Sequence, residues 1–344
     1  MTGFSGAIVI LLVAALLLCG CAGSGAKEGT NFTSNITLNH TNDDSSGNST
    51  TEPLPARESK IPLDIAKVMP SEDVYPPIMH SDEWEAPVPA PGMVNTAGAE
   101  DSAFATPDGS TLYFFFTPDV RVPPEKQLLD GVTGIYASKK LADGSWGTAE
   151  RVVLQEPGKL ALDGCGFVQG NMMWFCSARE GYSGVNLFTA QFSNGEWRNI
   201  RYVGDKLMKE YQMGEMHITS GGSEMYFHSA RSGGKGMLDI WASRNVNGEW
   251  GEPENVGIVN SPENEGWPFL SQDRGELWLT RTVNGTPAVL RSRNVNGSWT
   301  EPELIISQFA GEASLDDEGN IYFTHHFYRN GTMIEADIYV AGKK

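Results

Sequence analysis

A tryptophan followed by a short polar string recurs five times along the chain. The copies are Trp84-Glu85-Ala86-Pro87, Trp146-Gly147-Thr148-Ala149, Trp197-Arg198-Asn199-Ile200, Trp250-Gly251-Glu252-Pro253 and Trp299-Thr300-Glu301-Pro302, at intervals of 62, 51, 53 and 49 residues. Between them runs a second block: an acid, a short strand, a turn, then an aromatic strand. Glu100 leads to Leu112-Tyr113-Phe114, Asp163 to Met173-Trp174-Phe175, Glu215 to Met225-Tyr226-Phe227, Glu265 to Leu277-Trp278-Leu279 and Glu312 to Ile321-Tyr322-Phe323. A third block follows each, as in Gly134-Ile135-Tyr136, Asn186-Leu187-Phe188 and Asp239-Ile240-Trp241. Repeats of roughly 50 residues, each with four short strand signals between Gly, Asn, Asp and Ser turns, are what a β-propeller requires. No stretch sustains a helical period.

The first three strands occur five times after residue 98, whereas the first Trp string precedes them and none follows Tyr339. The count closes if the Trp84 strand supplies the outer strand of the last unit. Closure of this kind removes the free sheet edges that invite aggregation. The expected fold is therefore all-β: a five-bladed β-propeller over residues 78–344, with an N-terminal strand completing the last blade. The longer first interval reflects an insertion at Pro118 to Val132, read as a loop from its Pro123-Pro124 pair.

The composition agrees with a turn-rich β protein. The 344 residues include 39 Gly, 40% are hydrophobic, and the formal net charge is -18. Such acidity argues against nucleic acid, whose phosphates need clustered cations. The one long apolar run, Ala7 to Leu18, has the length of a signal-peptide core and is short for a membrane span. Leu18-Cys19-Gly20-Cys21 then reads as a lipobox with Cys21 the lipidated residue, although no Lys or Arg precedes the run. Residues 1–20 are expected to be a signal peptide and 21–60 a polar linker too poor in apolar side chains to fold. The linker carries N-x-S/T sequons at Asn31, Asn35, Asn39 and Asn48, and Asn284, Asn296 and Asn330 head three more. In an exported chain these are glycosylation sites by pattern.

Several blocks resemble the WD40-like propeller repeats of the Tol-associated periplasmic protein and of many bacterial and archaeal surface proteins. They are Thr106-Pro107-Asp108-Gly109 with Leu112-Tyr113-Phe114, Ser229-Ala230-Arg231-Ser232-Gly233-Gly234 with Asp239-Ile240-Trp241, and Asn260-Ser261 through Glu265, Pro268 and Ser271. The resemblance spans about residues 78 to 344 and is weakest in the second and fifth units. It implies an interaction platform, and it does not select an activity, because the fold hosts many.

Cys165 and Cys176 flank Gly170-Asn171, a two-residue hairpin signal. In that register residue i faces 341−i, so the two cysteines face each other; a cross-strand disulfide and a pair of buried thiols are both compatible with this. The recurrent acids Glu100, Asp163, Glu215, Glu265 and Glu312 each open a first strand. First strands line a propeller's axis, so the acids are expected as one ring at a channel mouth. Like charges at close range raise each other's pKa or recruit a cation, and oxygen ligands suit calcium or magnesium. Catalysis is the second reading, since glycoside hydrolysis needs carboxyl pairs about 5–5.5 Å or about 6.5–9.5 Å apart. The third is structural: the acids pair with Arg179, Arg231 or backbone N–H groups, as buried ion networks often do.

His217, His228 and the His325-His326 pair lack metal-binding spacing. Trp267 could stack on a sugar or simply pack. Asp273, Asp316 and Asp317 fall in turns. The functional expectation is an exported, lipid-anchored binding module facing an envelope protein or a glycan, with no cofactor unless the acid ring holds calcium. The alternative is a glycoside hydrolase-like enzyme working through the mouth carboxylates.

Overall fold

The computed structural model describes residues 54–344 other than 157, 205 and 220. The described chain is all-β, and its strands fall into successive antiparallel meanders. The first comprises Ala99–Ala105, Thr111–Thr117, Gly134–Lys139 and Glu150–Arg151. The second comprises Ala161–Gln169, Met172–Arg179, Val185–Ser193 and Glu196–Tyr202. The third runs through Met213–Ile218, Glu224–Ser229, Asp239–Val246 and Glu254–Asn255. The fourth runs through Glu265–Leu270, Glu276–Val283, Thr286–Val295 and Glu303–Ser307. The last three long strands are Ala310–Leu315, Ile321–Arg329 and Thr332–Ala341, and Val88–Pro89 pairs with the last of them. Trp84 forms a bridge to Lys343 beside that pairing. The insertion in the first meander includes a short helix, Pro124–Gln127.

The turns follow from residue chemistry. Asn194, Asn247, Asn284, Asn296 and Asn330 all take left-handed φ between 52° and 56°, each followed by a glycine of positive φ. These are two-residue hairpins, where Asn-Gly meets the twist of the flanking strands. The three sequons at Asn284, Asn296 and Asn330 therefore sit on exposed hairpin tips, where turn geometry already accounts for the asparagine.

First strands contact each other from meander to meander. Phe104 packs on Phe167 at 6.0 Å, the Cys165 thiol donates to Glu215 at 3.0 Å, and the Leu270 N–H donates to His217 at 3.1 Å. The Ala105 N–H donates to Ser314 Oγ at 3.1 Å, and the Glu312 N–H reaches Thr280 Oγ1 of the fourth meander's second strand at 2.8 Å. The repeated tryptophans make the outer contacts. Trp197 meets Tyr113 at 6.4 Å, Trp299 meets Tyr226 at 6.1 Å, Trp84 meets Trp278 at 5.6 Å and Trp146 meets Tyr322 at 5.8 Å, all edge-on. Each of these pairs joins the tryptophan of one meander to the central aromatic of the second strand before it. The two sequence repeats are thus the two halves of one interface. Trp250 and Trp299 stand at the hairpin leading into the outer strand, opposite Asn245 and Asn294, whereas Trp197 lies within its outer strand opposite Phe192.

The N-terminal segment departs from expectation. Its linker was expected to run to residue 60 and the folded part to begin at 78, yet residues 57–79 form a strap bound across one end of the meanders. Arg57 is 3% exposed and reaches Glu100; Lys67 bonds Glu335 and Asp337; Asp73 bonds His325 at 2.7 Å. Ile78–Met79 then pairs with the fourth meander's outer strand. Ion pairs with buried partners hold this stretch in place, and Val68 and Ile61 pack onto the core beside them. The folded part begins near residue 57. Cys21 and the sequons at Asn31, Asn35, Asn39 and Asn48 lie outside the described residues.

Candidate functional site

Every first strand carries a break in register with its partner. The breaks fall between Asp101 and Phe104, Gly164 and Phe167, Met213 and Met216, Gly266 and Phe269, and Gly311 and Ser314. At four of them a non-glycine residue takes left-handed φ: Ser102 at 53°, Cys165 at 52°, Trp267 at 51° and Glu312 at 59°. A bulge adds a residue to one strand and re-aims its side chains. Here the bulges turn residues 102–104, 165–167, 215–217, 267–269 and 312–314 onto a shared axial cavity of about 60 Å³. At about 10–15 Å³ per water centre, that space holds a handful of waters and no sugar ring.

Aromatic groups close the axis beside it. Phe104 meets Phe167 at 6.0 Å and Phe269 at 6.5 Å, and His217 lies 5.2 Å from Phe167 and 4.7 Å from Phe269. Burial pushes His217 down to about 4, so it is a neutral packing group. His228 is likewise pushed down to about 4 by burial. Its ring sits between the backbone N–H groups of Glu215 and Trp267, each 3.3 Å from a ring nitrogen. Trp267 packs against that ring at 5.2 Å and is buried, so it offers no face to a sugar.

The five acids do not form one ring. Pairing with the second strands shows the offset. Glu100 lies opposite Phe116, Asp163 opposite Ser177 and Glu265 opposite Arg281, each three residues beyond the central aromatic Tyr113, Trp174 or Trp278. The residues matching them in the other two first strands are Met213 and Ala310. Glu215 and Glu312 stand two residues further along, level with Ser102, Cys165 and Trp267.

The first layer is structural. Glu100 accepts from Arg57 at 3.1 Å and from the Thr96 hydroxyl at 2.6 Å. Asp163 accepts from Arg179 at 2.7 Å and the Ser177 hydroxyl at 2.6 Å. Glu265 accepts from Arg281 at 2.7 Å and the Ser261 hydroxyl at 2.5 Å. All three carboxylates are fully buried. Arg179 thus plays the part expected of it. Arg231 does not, because the acid's place in its meander is taken by Met213; it stacks over Tyr211 and Trp241 at 5.6 and 5.0 Å.

The second layer faces the cavity. Burial pushes Glu215 up to about 7, with the Cys165 thiol bonded to it pulling the other way. Burial also pushes Glu312 well up, reinforced by the neighbouring Asp101 and Glu215 charges. Ser102 donates to Glu312 through its N–H at 2.9 Å and its hydroxyl at 3.0 Å. Asp101 and His326 complete the surroundings of Glu312. Asp101 escaped notice in the sequence, where it reads as the outward neighbour of Glu100.

The cysteine expectation is corrected by the same bulge. The 341−i register holds from Phe167 opposite Trp174 to Gln169 opposite Met172, then slips, so Gly164 and not Cys165 lies opposite Cys176. Both cysteines are free thiols in the structure. Asp273 and Asp316 bond within their turns, to Ser271 and Gly275 and to Asn320.

Meanders that enter at a common axis by their first strands, and pack side by side through repeated aromatic pairs, define the β-propeller class. No protein-family model matches the sequence, and no curated protein matches it. Among solved structures, the chain is similar to an endo-arabinase from Bacteroides thetaiotaomicron VPI-5482, at 13% identity over 74% of this chain and 97% of that one, TM-score 0.48. It is also similar to TolB from Acinetobacter baumannii, at 14% identity over 72% of this chain and 55% of that one, TM-score 0.42. A xylan beta-1,4-xylosidase from Bacillus Halodurans C-125 is 13% identical over 72% of this chain and 53% of that one, TM-score 0.43.

Proposed function

We propose that this protein is an exported binding module: a closed five-bladed propeller, held at the outer face of the cytoplasmic membrane by a lipid on Cys21 and a glycosylated polar stalk. Val88–Pro89 completes the last blade beside Trp84, as closure of the count requires. Its partner is an envelope protein or a glycan. The observation that carries the binding reading over the enzymatic one is the strap. The end of the propeller at which the first strands begin, where the acids were expected to meet a substrate, is crossed by residues 57–79. Arg57 pairs with Glu100 there, and the single charge of Lys67 is shared between Glu335 and Asp337. Behind the strap the axis narrows to the aromatic groups and the small cavity. That leaves the opposite end, with the hairpins around Gly109, Gly170 and Arg274, as the open recognition face.

The test pairs two measurements on the full chain. Crosslinking on intact cells should trap one discrete partner, and Cys21→Ala should release the protein from the membrane and abolish that product. The same protein should release no reducing ends from arabino- and xylo-oligosaccharides. Hydrolysis abolished by Glu215→Gln or Glu312→Gln would replace the binding reading with the enzymatic one.

A further inference from the structure

Asp101, Glu312 and His326 come from two meanders that meet across the first–last junction. Each places a ligand atom within 4.8 Å of the other two. Acidic clusters are common without an ion, but the histidine sets this one apart. His326 is 3% exposed. Its Nδ1 lies 3.3 Å from the Phe309 carbonyl, so that nitrogen carries the proton and donates. Its Nε2 then bears the lone pair. Among the described residues it has no hydrogen-bond partner, and it lies 3.8 Å from Asp101 Oδ1. A buried imidazole held through Nδ1–H to a backbone carbonyl, with Nε2 aimed between two carboxylates, is the arrangement that metal-binding histidines adopt.

The carboxylates are held too. The Ser102 N–H donates to Asp101 Oδ1 at 2.8 Å and to Glu312 Oε2 at 2.9 Å, and the Glu312 N–H is tied to Thr280 Oγ1. Glu312 itself sits at φ 59°, a conformation that costs a non-glycine residue and here directs its side chain to the cluster.

We propose that Asp101, Glu312 and His326 bind a divalent first-row transition ion of the zinc or manganese class through Nε2 and one oxygen from each carboxylate. Two carboxylates balance the ion's charge. The 3.8 Å separation fits two ligands about 2.1 Å from a common ion at an angle of about 130°. All three ligand atoms lie within 4.8 Å of one another, so reaching the about 3.4 Å spacing of two ligands on a tetrahedral ion draws them together by at most about 1.4 Å. Calcium, expected from an oxygen ring, fits poorly: it takes about 6–8 oxygen ligands, whereas this site offers a nitrogen and two side-chain carboxylates. Asp101 is 17% exposed at its side chain, which provides an entry path and room for water in the open positions. The ion would fasten the first meander to the last, and the site is independent of whether the open face binds a protein or a glycan.

The test is titration of EDTA-stripped full chain by calorimetry with Zn2+, Mn2+, Ca2+ and Mg2+ in turn, with Co2+ as a spectroscopic probe. One equivalent of Zn2+ or Mn2+ should bind, with calcium at least tenfold weaker. Co2+ should give visible bands that His326→Gln removes, and His326→Gln and Asp101→Asn should each weaken binding at least tenfold. Asp101→Asn, at a partly exposed position, remains informative if the buried histidine variant fails to fold. Absence of stoichiometric binding, tighter binding of calcium, or binding untouched by Asp101→Asn would overturn the assignment.

Discussion

Replacing Arg57 with Met tests whether the strap is part of the fold. The guanidinium is 2% exposed at its side chain and donates to Glu100 at 3.1 Å and to the Met93 and Val94 carbonyls at 2.7 Å each. It also lies 5.3–5.8 Å from the Phe114, Phe116 and Tyr136 rings. Met retains most of the apolar stem among those rings and removes the charge. Glu100 is then left with only the Thr96 N–H and hydroxyl. Breaking a buried pair by removing one partner costs about 3–5 kcal/mol, because Glu100 must then stay buried as an uncompensated charge or take up a proton. At about 2 °C per kcal/mol for a domain of this size, melting should fall by about 6–10 °C. Adding Glu100→Gln removes the stranded charge and should return about 2 kcal/mol, a non-additivity expected of residues in direct contact. Circular dichroism melts of Arg57→Met, Glu100→Gln and the double variant complete the cycle. A drop below about 2 °C for Arg57→Met, or a double variant less stable than either single one, would refute the claim that this pair anchors the strap.

Two further outcomes follow from buried groups. Burial holds Glu100 and Glu215 up to about 7 and Asp337 up to about 8, while His217 and His228 are held down to about 4. Below pH 6.5 the two sets oppose each other. The folded state binds the extra carboxyl protons, and the unfolded state binds the extra imidazole protons. Between pH 6.5 and 8 the unfolded imidazoles lose their remaining protons, but the three carboxyls dominate, so the folded state loses its proton advantage as pH rises. Stability should fall there by about 2 kcal/mol, read as a falling melting temperature; a rising one would contradict the assigned burial. Separately, a Cβ at Gly214 would stand 1.9 Å from His228 Nε2, on a ring with no room to move between two bulges. Gly214→Ala should cost about 3 kcal/mol in urea unfolding, and a cost under about 1 kcal/mol would show that the ring can yield.

The repeat was legible because its two aromatic signals are the two sides of one recurring contact, so spacing and packing report the same fact. Trp84 could be assigned to the last unit on count alone, and it does lie on Trp278 and beside Lys343. The acid layers were not legible as a ring. Hairpins of different length separate each acid from its aromatic strand, and the register break that decides which way a side chain faces is made by Ser102, Cys165, Trp267 and Glu312, none of which signals a left-handed backbone. A cue does exist: Glu100, Asp163 and Glu265 stand four residues before a phenylalanine, and Glu215 and Glu312 do not. Arg57 was hidden for another reason. It stands inside the expected bounds of the polar linker, and composition reports whether a stretch can build a core, not whether one charge at its end is bound by an acid elsewhere in the chain.

The two acid layers also show why an acid-rich axis need not be a catalytic one. A carboxylate used for chemistry must meet substrate and change its protonation there. In the first layer each carboxylate is instead locked by an arginine and a Ser or Thr hydroxyl, in a pattern made twice by a residue four positions upstream: Thr96 before Glu100 and Ser261 before Glu265. Such a knot ties the incoming loop to its own first strand in the first and fourth meanders. The bulges turn other residues inward: a serine, a cysteine, a tryptophan and, in two meanders, a glutamate. The variety of the bulge layer is what allows the junction between the first and last meanders to gather, among the described residues, two carboxylates and an imidazole nitrogen.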